Sequence, residues 1–175
     1  MGLKYWLCAV LTLLLIQCWG CGGCLEQERN ALLQLKMVFN GRPLRNWGRG
    51  DHNSDCCKWE RVKCNPSTGR VIALYLNYTR GYSSAYLYLN TSLFLPFEEL
   101  KGLYLPDNSI AGCIENEGFN RLSRKLSNLE ILDLSDNFFN NSILSSLNEI
   151  TSLKSLNLAW NKINASNHID GIVLI

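Results

Sequence analysis

The sequence predicts an α/β solenoid, a curved stack whose short strands form a parallel β-sheet on the concave face, with a small helical cap on its N-terminal side. Three observations carry this reading. A leucine pattern recurs four times at near-constant spacing, an amphipathic segment too short to fold alone precedes it, and cysteines crowd between the two.

Two segments align as LxxLxLxxN: Leu129, Leu132, Leu134 and Asn137, then Leu153, Leu156, Leu158 and Asn161. Leu100, Leu103, Leu105 and Asn108 repeat the pattern upstream, and Val71, Leu74 and Leu76 begin it, with Thr79 at the asparagine position. Starts at residues 71, 100, 129 and 153 give spacings of 29, 29 and 24, in the range of solenoid repeats. In LxLxx the leucines alternate with other residues, as in a strand with one buried face. The asparagine amide both donates and accepts, so it can satisfy backbone groups at the turn that follows. A single repeat cannot bury its leucines, so the strands stack in parallel.

The residues between the leucines then face the concave surface. They are Tyr75, Asn77 and Tyr78, then Tyr104 and Asp107, then Asp133, Ser135 and Asp136, then Asn157 and Trp160. Tyr75, Tyr104, Asp133, Asn157 and Trp160 are the candidates for contact with a ligand. After Asn161 the pattern fails, which predicts an incomplete last repeat, an unpaired edge on the strand around Leu156 and Leu158, and an aggregation-prone, uncharged IVLI segment.

Residues 24–41, CLEQERNALLQLKMVFNG, predict the cap helix. Leu25, Leu32, Leu35 and Phe39 recur on one face, Glu26 and Glu28 suit the positive end of the helix dipole, and Asn40-Gly41 is a stop. Coil rich in Gly, Asn and Asp follows around Trp47, so the apolar face needs a neighbour.

At the start of the chain, Lys4 precedes an uninterrupted apolar run from Tyr5 to Ile16. That run is too short for a bilayer core needing about 20 residues, and it reads as a secretory signal peptide over residues 1–20. The organisation expected is therefore 1–20 signal peptide, 21–70 cap, and 71–175 about four repeats. With no second run of about 18 apolar residues, the reading is a secreted, extracellular chain without a membrane span. Its cysteines then meet an oxidising compartment.

Other chemistries fit poorly. The formal charge is +2 with no concentrated basic stripe, which argues against nucleic acid. The overlapping CxxC spacings of CWGCGGC straddle the cleavage region with no βαβ pattern after them, which argues against thiol redox chemistry. His52 and His168 lie too far apart in sequence to suggest a zinc site. DHNSD begins like a calcium loop, but Cys56 and Val62 occupy the positions that need glycine and glutamate. No cofactor, metal or nucleophile–base arrangement is predicted, and the chain reads as a non-enzyme.

CLEQERNALLQLK followed by NW, SDCCKWERVKC and GRVIALYL resembles the plant-type N-terminal cap that precedes leucine-rich repeats in plant receptor-like proteins and receptor kinases. LNTSLFLPFEELKGLYLPDN and the segment from Gly112 to Leu147 are similar to receptor-like proteins of immunity and development, and the resemblance runs to about Lys162. It implies a leucine-rich repeat fold with Cys24 paired to Cys56 and Cys57 to Cys64, so that CCKWERVKC is a disulfide staple. Cys113 stays outside these two pairs, open to pairing with Cys21.

The resemblance further implies an extracellular recognition protein, at the outer face of the plasma membrane when part of a longer receptor. Its partners would be a peptide, glycan or protein ligand on the concave face and a co-receptor kinase. Polygalacturonase inhibitors have similar caps and repeats, so a short secreted inhibitor is the alternative. The chain departs from the family pattern twice, with Arg61 where glycine is usual and Ile143-Leu144 where Ile-Pro is usual.

Secretion also gives meaning to N-glycosylation sequons at Asn77, Asn90, Asn140 and Asn164, while Pro66 excludes Asn65. Asn77 falls on the predicted concave face.

Overall fold

The computed structural model describes residues 23–50, 54–80, 85–116, 118–164 and 173–174. Residues 1–20, expected to be a signal peptide, and Cys21, His52 and His168 lie outside the described residues.

Helix α1 spans Glu26–Phe39 and buries Ala31, Leu32, Leu35 and Phe39. Leu25 is not on its apolar stripe. It sits before the first turn in extended conformation and is half-buried. Glu28, four residues before Leu32 and so on the apolar stripe itself, is fully buried. Asn40 ends the helix in the left-handed region, at φ 43°, with its N–H on the Lys36 carbonyl. Gly41 follows because a Cβ there would collide with the Thr79 carbonyl, where the cap presses on the first repeat turn.

The rest of the cap is built on tryptophan. Trp47 is buried, stacks on Trp59 at 5.7 Å, and donates from Nε1 to the Glu60 carbonyl at 2.8 Å. Disulfides join Cys24 to Cys56 and Cys57 to Cys64, with Cα separations of 5.6 and 5.5 Å. The first closes a loop of sequence separation 32 and so restricts the unfolded chain by roughly 3–4 kcal/mol.

Strands β1 (Val62–Cys64), β2 (Val71–Tyr75), β4 (Gly102–Tyr104), β6 (Ile131–Asp133), β7 (Ser155–Asn157) and β8 (Val173–Leu174) form one sheet in that order. β1 runs antiparallel to β2, and every other pairing is parallel. β8 corrects the expectation of an unpaired edge: Val173 and Leu174 pair with Ser155 and Leu156. These two residues lie outside any leucine pattern, and backbone pairing needs none.

The register stacks Leu74, Leu103, Leu132 and Leu156 in one row, each fully buried. Leu76, Leu105, Leu134 and Leu158 form the second inward row. Opposite them the convex turns contribute Phe94, Phe97, Phe119, Leu122, Leu126, Leu147 and Ile150. Burying each such side chain is worth about 1.5–3 kcal/mol, which makes this interior the main stabilising term.

Asparagines close the rungs. Asn137 is buried, donates from Nδ2 to the Leu105 and Leu134 carbonyls, and accepts at Oδ1 from the Asn108 and Ile110 N–H groups. Asn108 and Asn161 make the same kind of links, and Thr79 ends the row by donating to Asn108 Oδ1 at 2.7 Å. The residue before each of these four, Tyr78, Asp107, Asp136 and Trp160, has a φ between 52° and 57°. A second sheet, β3 (Leu87–Leu89) with β5 (Ile110–Cys113), also runs parallel and was not predicted.

Candidate ligand-binding face

Alternation along each strand turns one residue per rung away from the leucines. The pairing places Tyr75 beside Tyr104, Tyr104 beside Asp133, and Asp133 beside Asn157. Four of the five sequence candidates thus form one row across the sheet. Trp160 stands apart from the row, at the left-handed turn, and is 85% exposed.

Tyr75 and Tyr104 stack with ring centroids 4.8 Å apart and planes 11° from parallel. The space for this comes from Gly102, where a Cβ would lie 2.9 Å from Tyr104 Cε2. Burial, and then the neighbouring Tyr75 and Asp133, hold the Tyr104 phenol above its ordinary value of 10.0, so it stays a neutral donor and acceptor.

The polar half of the row is partly engaged with its own backbone. Asp133 Oδ1 accepts from the Ser135 N–H at 3.0 Å and from its hydroxyl at 2.7 Å. Asn157 Oδ1 accepts from the Ala159 N–H. These local turns hold both side chains in place at the surface. The face therefore offers an aromatic shelf beside a fixed carboxylate and amide.

Arg61 frames the N-terminal end of this face, a role the sequence did not reveal. Its φ of 71° is the conformation that glycine adopts freely, which accounts for glycine at this position in similar caps. Its Nη1 donates to the Tyr75 carbonyl at 3.2 Å and the Asn77 carbonyl at 2.8 Å.

Asn77 and Asn140 are exposed, Asn90 is half-buried, and Asn164 is exposed. Asn77 Oδ1 lies 3.3 Å from Arg61 Nη1, and Asn140 Oδ1 accepts from the Ser142 N–H and hydroxyl. Cys113 is half-buried in β5. Among the described residues no group of three His, Cys, Asp or Glu is placed to hold a metal, and no helix is long and apolar enough to cross a membrane. The fold also gathers Lys36, Arg42, Arg45 and Arg49 around one hollow of the cap, a basic cluster that the dispersed sequence positions concealed.

Residues 25–65 match the leucine rich repeat N-terminal domain family. Receptor-like protein 9a of Arabidopsis thaliana is 42% identical over 159 residues, covering 90% of this chain. The chain is similar to the N-terminal region of plant leucine-rich repeat receptor-like proteins. It spans between 12% and 18% of the length of the curated relatives it matches, 16% for receptor-like protein 9a.

Solved structures agree on the fold. The ectodomain of the Arabidopsis receptor kinase GASSHO1/SCHENGEN3, in complex with CASPARIAN STRIP INTEGRITY FACTOR 2, superposes with a TM-score of 0.58 and 29% identity over 78% of this chain and 15% of that one. The Arabidopsis receptor kinase HAESA, in complex with the peptide hormone IDA and the co-receptor SERK1, gives 0.55 and 26% over 79% of this chain and 26% of that one. The matched curated relatives are named receptor-like proteins, and the matched part of GASSHO1/SCHENGEN3 is its leucine-rich repeat ectodomain.

Proposed function

We propose that this chain forms the N-terminal part of an extracellular recognition protein that binds a peptide, glycan or protein on its concave face and acts with a co-receptor kinase in defence or developmental signalling. The stacked Tyr75–Tyr104 pair carries the proposal. Rigid aromatic side chains facing solvent supply contact area with little entropy to lose, and such residues dominate binding hot spots. Asp133 and Asn157 continue the row as fixed polar contacts, and Trp160 adds an exposed ring at its turn. The relatives' complexes with a peptide hormone and a co-receptor support this reading. In it, residues 1–20 direct the chain into the secretory route, and the repeats stand outside the plasma membrane.

The test uses the full-length secreted ectodomain against peptide and oligosaccharide arrays. Tyr75→Ala combined with Tyr104→Ala should weaken the specific hits at least about tenfold, the range of a hot-spot loss. Tyr88→Ala, an exposed tyrosine on the second sheet, should leave them unchanged. Hits insensitive to the first pair and sensitive to the second would place recognition on the other sheet.

A further inference from the structure

The lateral side of the cap carries a groove of about 460 Å³ between α1 and the turn that follows β3. Its volume lies within the range of small-ligand sites. One wall is a stripe of carboxamides on α1, Gln27, Asn30 and Gln34, at the three- and four-residue spacing that puts side chains on one helix face. Ala31 and Pro96 also line it. Asn90 forms part of the opposite wall. None of these six residues is charged.

Asn90 begins the sequon Asn90-Thr91-Ser92. Its Oδ1 accepts from the Ser92 N–H at 2.9 Å, which orders the amide at the start of the turn Thr91–Phe94. A glycan attached to this amide would begin inside the groove. Carboxamides both donate and accept, as the hydroxyl and acetamide groups of an N-acetylhexosamine require. Small apolar surfaces such as Ala31 and Pro96 suit its acetyl methyl and ring face.

We propose that Asn90 is N-glycosylated and that the first N-acetylglucosamine units of its glycan lie in this groove, bonded to Gln27, Asn30 and Gln34, so that the sugar clamps the cap helix to the first repeat. In the attachment step the N-glycosidic bond forms between Asn90 Nδ2 and sugar C1. The bond from C1 to the pyrophosphate of a lipid-linked oligosaccharide donor breaks, and the proton lost from Nδ2 leaves with the departing pyrophosphate. The inference rests on the secretory reading above.

The chain is expressed through a eukaryotic secretory route, and glycopeptide mass spectrometry reads occupancy at all four sequons. Occupied Asn90 is expected. If Asn77 or Asn140 carries sugar and Asn90 does not, the groove proposal fails while the secretory reading stands. Sugar at none of the four overturns both.

Hydrogen exchange across Glu26–Phe39 then tests the clamp. Trimming to a single sugar residue should preserve protection, and complete enzymatic removal should speed exchange about tenfold. Gln34→Ala should speed exchange in the glycosylated protein and have no effect in a Ser92→Ala background, which lacks the sequon but keeps the backbone N–H that caps Asn90. Equal effects in both backgrounds, or protection indifferent to the sugar, would reduce the glycan to a solvent-exposed ornament and overturn the proposal.

Discussion

Glu28 reaches across 42 residues to Arg70, with Oε1 at 2.9 Å from Nε and the other carboxylate oxygen accepting from the Val71 N–H at 3.3 Å. The Glu28 side chain is wholly buried, while Arg70 is partly buried, with 16% of its side chain exposed. Burial comes first among the influences on this carboxyl and raises it above its ordinary value, against the opposing pull of Arg70. The pair joins the cap helix to the first repeat strand, so it couples two parts that sequence alone presents as separate.

Glu28→Ala should therefore cost about 2–4 kcal/mol, because it leaves the partly buried Arg70 without its main partner and the Val71 N–H without its acceptor. Arg70 keeps a longer contact with Glu98 at 3.7 Å, which softens the loss. The double variant Glu28→Leu with Arg70→Met should lose much less than the sum of Glu28→Leu and Arg70→Met made separately. Chemical denaturation measures each variant. Additive losses would mean that the two residues act independently.

The sequence revealed the leucine rows and the Tyr75, Tyr104, Asp133, Asn157 row for one reason. A residue between two buried leucines of a strand has only one direction to face. Glu28 escaped because a glutamate in a first helical turn already has a sufficient explanation in the helix dipole. The left-handed turns escaped because Tyr78 and Trp160 are not residues that favour that conformation, and the stacked backbone imposes it on them. The second sheet escaped because Leu87–Leu89 is too short a run for alternation to register. Local turns at Asp133 and Asn157 depend on the backbone path and leave no composition signal.

Inside and outside can be separated by paired substitutions. Leu132→Asp places an unpartnered charge at a fully buried site and should abolish secretion of folded protein. Asn137→Ala strands the Asn108 and Ile110 N–H groups and should cost roughly 2–6 kcal/mol, at ~1–3 kcal/mol for each unsatisfied group. Asn157→Ala, which loses one local bond at the surface, should stay within about 0.5 kcal/mol. Thermal melts of the secreted variants give the order, and an Asn157 loss matching that of Asn137 would contradict the register.

Arg61 allows a test of strain against hydrogen bonding. Arg61→Gly relieves a left-handed conformation worth about 1–2 kcal/mol and gives up the links to the Tyr75 and Asn77 carbonyls. Its stability should stay within about 1 kcal/mol of the parent. Arg61→Ala loses the same links and keeps the strain, so it should be the less stable variant by at least about 1 kcal/mol. Urea midpoints in the opposite order would show that the left-handed conformation at this position costs less than the extra freedom glycine gives the unfolded chain.

Gly102→Ala probes the aromatic shelf without touching either ring. The added methyl would stand 2.9 Å from Tyr104 Cε2, so the ring must swing away from Tyr75. Near-ultraviolet circular dichroism should lose the coupled tyrosine signal while the melting curve moves little. An unchanged spectrum would mean that the stack does not depend on the missing side chain.

Asp107 gives a pH signature. Its carboxyl is held above the ordinary 3.8 by burial first and by Asp136 second, the residue at the equivalent turn one rung along. The folded chain therefore binds this proton more tightly than the unfolded chain does. That contribution is present at acid pH and is lost as pH rises from 3.8 through the raised value. Asp107→Asn removes the titration and the repulsion but keeps a side chain that tolerates the left-handed turn. The variant should exceed the parent at pH 7 by at most about 0.5 kcal/mol, given partial solvent screening, and the gap should close by about pH 3. Urea midpoints at the two pH values decide it, and a gap that widens on acidification would reverse the assigned sign and put the Asp107 carboxylate in a stabilising contact.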